Sequence, residues 1–239
     1  MVVVSQLLLL QIIAHLLTDF SFQSDGSARD KNCLGFKSKF LKWHVLITFA
    51  LSWLLSFQWF FFIGAIAIAF THCLIDGFKN KLNDYPVLNR HAFFIDQSLH
   101  LMIILCVVIG YYLALPDSPI SVVPINNHYL MVFIGYLFCT KPANIFIKEI
   151  LHAFKIQINN PDTKASDLPN AGKLIGIVER WLVLTFMLLG QFGAIGFLIA
   201  AKSILRFKDT DTLKTEYVLI GTMLSFGLAI VVGVVAGIV

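Results

Sequence analysis

Charge is scarce in this sequence. Asp, Glu, Lys and Arg make up 13% of its 239 residues, 58% are hydrophobic, and the mean hydropathy is +0.80. Soluble domains carry about 25% charged residues, so this balance excludes an ordinary water-soluble domain and indicates an integral membrane protein. Paired cysteines are missing as well. Cys33, Cys73, Cys106 and Cys139 are scattered with no CxxC spacing, which excludes the usual disulfide frame or thiolate metal site. No basic run interleaves with aromatics, so nucleic acid is not an expected partner. The opening residues lack the basic region of a secretory signal, and no small-residue cleavage site follows, so the first apolar run is expected to be retained.

What is present is a series of apolar runs, at about 2–22, 43–57, 59–79, 92–115, 128–151, 174–190, 192–206 and 215–238. A helix needs about 20 residues to cross a bilayer. The stretches 43–79 and 174–206 are each too long for one crossing, and each is broken by turn-compatible residues, at Ser56-Phe-Gln58-Trp59 and Gly190-Gln191-Phe192-Gly193. Both read as tight helical hairpins. Lys and Arg gather in 24–42, 79–91, 141–173 and 202–214, and are missing from 56–58, 116–127 and 190–193. The positive-inside rule then places the four basic segments in the cytoplasm. The expectation is an all-α polytopic bundle of about eight transmembrane helices with both ends outside, divided into halves at 1–115 and 128–239. The segment 156–172, rich in turn formers, is the expected inner cap or gate.

Within these runs lie three pairs of ionisable residues at helical spacing: His15 and Asp19, His72 and Asp76, and Asp96 and His100. A step of four places each pair on one helix face, and Gln23 would extend the first stripe. Charged groups in a span cost about 2.5–3.5 kcal/mol each on insertion scales, so they need partners. His44, opening the second run, would reach the same depth. Four helices thus deliver His15, Asp19, His44, His72, Asp76, Asp96 and His100 to one cytoplasmic level, where a divalent metal is the expected occupant. Imidazole and carboxylate without thiolate suit zinc, with manganese or iron as alternatives. Gln23 and Gln97 are expected to orient ligands rather than bind the ion.

The second half carries its own polar set. Glu179 and Arg180 enter the sixth run, and Lys202 and Arg206 leave the seventh at a spacing of four. Arg180, Lys202 and Arg206 are candidate contacts for an anionic substrate group near the inner leaflet. Gly221, Gly227, Gly233 and Gly237 in the last run make it a candidate homo-oligomer interface.

The His15 to Gln23 stretch, His72-xxx-Asp76-xx-Lys79 and Asp96-Gln97-xx-His100 together resemble a bacterial integral membrane family known as a domain of unknown function, over about residues 8–115. The pattern is loosely similar to bacterial membrane-bound metal-dependent hydrolases, from which it departs in lacking a His-Arg-Gly-xx-His type segment. The expected function is a metal-dependent hydrolase of the bacterial inner membrane, facing the cytoplasm and acting on a membrane lipid or lipid-linked phosphate or ester. Asp96 or Asp19 would serve as general base to a metal-bound water, and Lys79 would position the substrate. The competing expectations are a divalent-cation or proton-coupled transporter and a metal-braced structural subunit.

Overall fold

The computed structural model describes residues 2–83, 85–115, 125–156, 171–206 and 212–238. The described residues form ten α-helices and no strand: α1 (Val2–Leu16), α2 (Asp25–Leu34), α3 (Lys39–Ser56), α4 (Phe62–Asn83), α5 (Pro86–Ala114), α6 (Asn127–Phe138), α7 (Lys141–Ala153), α8 (Ala171–Leu188), α9 (Phe192–Arg206) and α10 (Thr212–Ile238). Four stretches are long and apolar enough to cross a membrane, Val4–Ser21, Trp59–Lys81, Leu88–Ala114 and Glu216–Ile238. α6 and α7 would add a fifth if they form one span bent by 56°. The sequence reading of 128–151 as one run is therefore corrected to two helices. Pro142 lacks the N–H that a continuous helix would direct back to residue 138. The expected breaks after Ser56 and around Gly190 are present: Phe57 (φ 51°) and Gly190 (φ 68°) both take left-handed conformations. Most of the expected inner cap, 157–170, lies outside the described residues, as does 116–124.

The chain divides into two compact units, residues 1–130 and 131–239. In the first, α1, α3, α4 and α5 pack together with their inner faces in two layers. One layer is apolar: Leu7, Phe61, Ala65, Ile68, Ile104 and Val108 form a closed core. The other is polar, and it continues the same helical stripes. On α5 the buried positions Ala92, Asp96, His100, Ile104 and Val108 recur every four residues, so Asp96 and His100 are core positions by geometry. On α3 the inward stripe is His44, Thr48, Ser52 and Ser56, while Trp43, Leu46 and Leu54 face outward. The short polar α2 lies across the polar end. Ser24 caps it, its Oγ accepting from the Ser27 backbone N–H at 3.1 Å.

The end of α2 is fixed by glycine. Gly35 adopts φ +53°, and a Cβ there would sit 2.6 Å from the backbone oxygen of Gly77 on α4. Neither the left-handed backbone nor the close approach tolerates a side chain. Gly35→Ala is expected to destabilise the first unit by about 1–3 kcal/mol and to expose 24–38 to proteolysis, read by thermal unfolding and limited digestion in detergent.

In the second unit, Cys139, Val183, Leu184, Ile195, Phe226 and Ala229 form the core. Gly233 lets α10 close on α8, where an added Cβ would meet Met187 at 2.7 Å. Arg180, 1% exposed, reaches the break between α6 and α7. It donates to the backbone oxygens of Cys139 (2.8 Å) and Thr140 (3.2 Å), to Asn144 Oδ1 (2.7 Å) and to Ser225 Oγ (3.1 Å). The guanidinium thus satisfies carbonyls at the helix break and joins α7 and α10 to α8.

Candidate metal centre

The polar layer of the first unit gathers all seven predicted ligands. They come from the last turn of α1 and the segment after it, the first turns of α3, the middle of α4 and the first half of α5. Each of these side chains is buried, with 1–7% of its surface exposed. One local feature departs from the sequence reading. α1 does not continue as an α-helix through Gln23; residues Leu17–Ser21 form a π-helical turn, closed by the Phe22 N–H donating to the Leu17 oxygen at 2.8 Å. Such turns recur at functional sites. Asp19 Oδ1 stands 3.9 Å from His15 Nδ1, about the separation of Asp96 and His100 at the same spacing on α5 (4.0 Å). Gln23 falls beyond the helix rather than on its stripe, and its Oε1 accepts from Lys31 at 3.5 Å.

At the centre, the Nε2 atoms of His44 and His72 face each other at 2.9 Å. Asp19 Oδ1 lies 3.3 Å from the first and 3.2 Å from the second; Asp76 Oδ2 lies 3.3 Å from both. A tetrahedral zinc shell with bonds of about 2.0–2.1 Å spaces its ligand atoms roughly 3.3 Å apart. The two nitrogens thus stand at 2.9–3.3 Å from each other and from each oxygen, close to the separations a metal shell requires. Three overlapping sets have ligand atoms within 4.8 Å of one another: His15, Asp19 and His72; His44, His72 and Asp76; and Asp76, Asp96 and His100. His72 or Asp76 is in every set. Cys73 is in none of them, as its helical offset from His72 requires.

Proton placement sharpens the chemistry. Gln97 Nε2 donates to Asp19 Oδ2 (3.3 Å) and Asp96 Oδ2 (3.1 Å), and since carboxylates only accept, its amide orientation is forced. Gln97 Oε1 then accepts from His15 Nε2 at 3.2 Å, which leaves the lone pair of His15 on Nδ1. His100 Nδ1 donates to the backbone oxygen of Asp96 at 2.8 Å, which leaves its lone pair on Nε2. His15 Nδ1, His100 Nε2 and one oxygen each of Asp19, Asp76 and Asp96 are buried and receive no hydrogen bond. Five buried lone-pair atoms with no donor among them is a costly arrangement for neutral protein and a fitting one for a cation.

Two lysines supply partial compensation. Lys79 Nζ pairs with Asp96 Oδ2 at 2.9 Å, and Lys31 Nζ with Asp76 Oδ2 at 2.7 Å. Lys31, on α2, was not singled out in the sequence, where it is indistinguishable from other basic residues of an inner segment. The buried bond from Ser52 Oγ to Gln11 Oε1 (2.5 Å), returned by Gln11 Nε2 to the Ser52 oxygen (3.0 Å), was likewise not legible.

The predicted anion contacts of the second half lie in the other unit. Arg180 commits four hydrogen bonds inside its own bundle and serves there as a brace, which departs from the expected substrate contact. Lys202 pairs with Glu179. The Arg206 side chain lies outside the described ones.

Gln97→Leu is expected to weaken metal binding about 10–100-fold without unfolding the protein, because it orients His15, Asp19 and Asp96 rather than meeting the ion. Titration of the purified variant with zinc against a competing chelator measures this.

Comparison with curated proteins gives no match, and neither does comparison with solved structures. A family model described as Protein of unknown function (DUF3307) matches residues 7–131, a segment that starts within α1, contains α2 to α5 and holds every residue of the cluster. The chain belongs to that family.

Proposed function

We propose that the first unit binds one divalent metal ion, zinc by preference with manganese or iron as alternatives, and uses it as a hydrolase within the bacterial inner membrane. The observation that carries this reading is the spacing of 2.9–3.3 Å between the Nε2 atoms of His44 and His72, and from each of them to Asp19 Oδ1 and Asp76 Oδ2, beside lone pairs that no donor reaches. Charge favours a single ion. With the imidazoles neutral, Asp19, Asp76 and Asp96 against Lys31 and Lys79 leave one negative charge. A second dication would leave a large uncompensated positive charge in a buried site.

The ion would lower the pKa of a bound water towards about 7. Asp96, whose Oδ1 receives no hydrogen bond, is the carboxylate available to take the proton, and Lys79 holds its other oxygen. His15 and His100 flank the ion as further ligands or as acceptors for that proton. A lipid or lipid-linked phosphate or ester is the substrate class that fits the setting. Phe22, Phe36, Phe40, Trp43 and Phe78 are exposed at the same end as the cluster, among Lys37, Lys39 and Lys42, which suits the headgroup level of a membrane. The distribution of Lys and Arg supports eight crossings and a cytoplasmic site. The test is metal-dependent turnover of a chromogenic phosphodiester and a chromogenic acyl ester in mixed micelles. Asp96→Asn is expected to retain the ion and lose turnover by roughly 100-fold or more. Bound metal with no turnover of either class would contradict the hydrolase.

A second reading, cation or proton transport, is favoured by the inward stripe His44, Thr48, Ser52 and Ser56 on α3, which runs from the cluster along the bundle beside Gln11. All three of its hydroxyls are already used: Thr48 donates to the His44 oxygen, Ser52 to Gln11 Oε1 and Ser56 to the Trp53 oxygen. Metal flux into proteoliposomes, lost with Asp76→Ala, would move the assignment to transport.

A further inference from the structure

Lys31 reaches the cluster from α2, outside the four packed helices. It belongs to α2, whose other residues are mostly polar, yet it is 4% exposed. Its ammonium lies 2.7 Å from Asp76 Oδ2, 3.2 Å from His44 Nε2 and 3.5 Å from Gln23 Oε1. Two of those atoms, Asp76 Oδ2 and His44 Nε2, belong to the central set of ligand atoms. An ammonium there does what a cation does: it draws a carboxylate and an imidazole together in a site that would otherwise repel them. A dication bonded to the same two atoms would stand beside that ammonium at little more than contact distance, in surroundings with little water to screen the repulsion.

We propose that the Lys31 ammonium is a tethered resident cation that exchanges with the divalent ion: when the metal enters, the lysine side chain withdraws to solvent. This rests on the metal reading above and adds its regulation. The charge balance points the same way. With Lys31 inside and no metal, the cluster carries one negative charge; with both cations inside it would carry one positive charge; with metal in and Lys31 out it is neutral. Withdrawal needs only rotation of a long side chain, because α2 itself is pinned beyond Lys31. Gly35 closes against Gly77, and Ser38 Oγ donates to Asp30 Oδ2 at 2.5 Å. Lys31 thereby sets the apparent metal affinity, so that the site fills only when metal is plentiful enough to expel it.

The experiment uses the full chain in detergent with zinc as the probe. Amine acetylation is mapped by mass spectrometry, with the exposed Lys37, Lys39 and Lys42 as internal references. In the metal-free protein Lys31 is expected to react at least tenfold more slowly than these; at saturating zinc its rate should rise to within about threefold of theirs. K31M should bind zinc at least tenfold more tightly than the parent, and zinc should raise its thermal midpoint by more. Lys31 that stays protected in zinc-loaded protein overturns the exchange while leaving the metal site standing, as does K31M with unchanged or weaker zinc affinity. Should K31M not fold, the acetylation of the parent chain decides alone. If the parent and K31M both fail to bind zinc, the metal reading falls and the exchange falls with it.

Discussion

Replacing His72 with alanine is expected to abolish divalent-metal binding by the purified protein. Its Nε2 lies within 3.3 Å of Asp19 Oδ1 and Asp76 Oδ2 and 2.9 Å from His44 Nε2, and its ring contacts those of His15, His44 and His100. No other side chain touches as many members of the cluster. Loss of Gln97, which only orients ligands, should cost about 10–100-fold in affinity. Removing His72 takes away a ligand and also the imidazole that contacts both Asp19 and Asp76, so the loss should exceed that range. The neighbouring Cys73→Ala is the matched control and should keep its metal, since Cys73 joins no ligand set. Isothermal titration with zinc, with helicity checked by circular dichroism, measures both variants. Metal binding that survives His72→Ala at parental affinity would remove the central imidazole from the site.

The second large effect concerns folding. Arg180→Met should destabilise the second unit by about 2–5 kcal/mol. Four acceptors lose their donor together: the Cys139 oxygen and Ser225, which are buried, and the Thr140 oxygen and Asn144, which are partly buried. Interhelical hydrogen bonds in membranes average about 0.6 kcal/mol each, which sets the lower bound near 2 kcal/mol. Orphaned buried acceptors cost about 1–3 kcal/mol apiece, which sets the upper one after allowance for relaxation. Arg180→Lys should recover only part of the loss, because an ammonium cannot span four acceptors laid out for a planar fork. Unfolding in detergent, followed by loss of helicity, reads the difference. A variant as stable as the parent would return Arg180 to the role of substrate contact.

Much of this architecture is legible in the sequence because bilayer and helix geometry leave few alternatives. Ionisable pairs four residues apart in apolar runs must face inward, and His15, Asp19, His72, Asp76, Asp96 and His100 do. The breaks after Ser56 and at Gly190 were marked by a shift in residue type. What escaped notice has physical reasons. The π-helical turn at Leu17–Ser21 is a one-residue shift of hydrogen bonding with no compositional trace. The hydroxyl stripe of α3 is hidden in the sequence by the apolar residues that outnumber it. Lys31 resembles any inner-loop lysine; only the excess of three carboxylates over Lys79 hinted at a further cation. The bend before Lys141 has Pro142 as its local cause, but apolar residues on both sides of it make 128–151 read as one run.

The most direct measurement is the metal content and ligand environment of the full chain purified without chelators. Elemental analysis paired with X-ray absorption should give one divalent ion per chain, bound only by nitrogen and oxygen at about 2.0–2.1 Å. A chain that carries no metal and takes up none from added zinc, manganese or iron would contradict the account, as would sulfur in the shell.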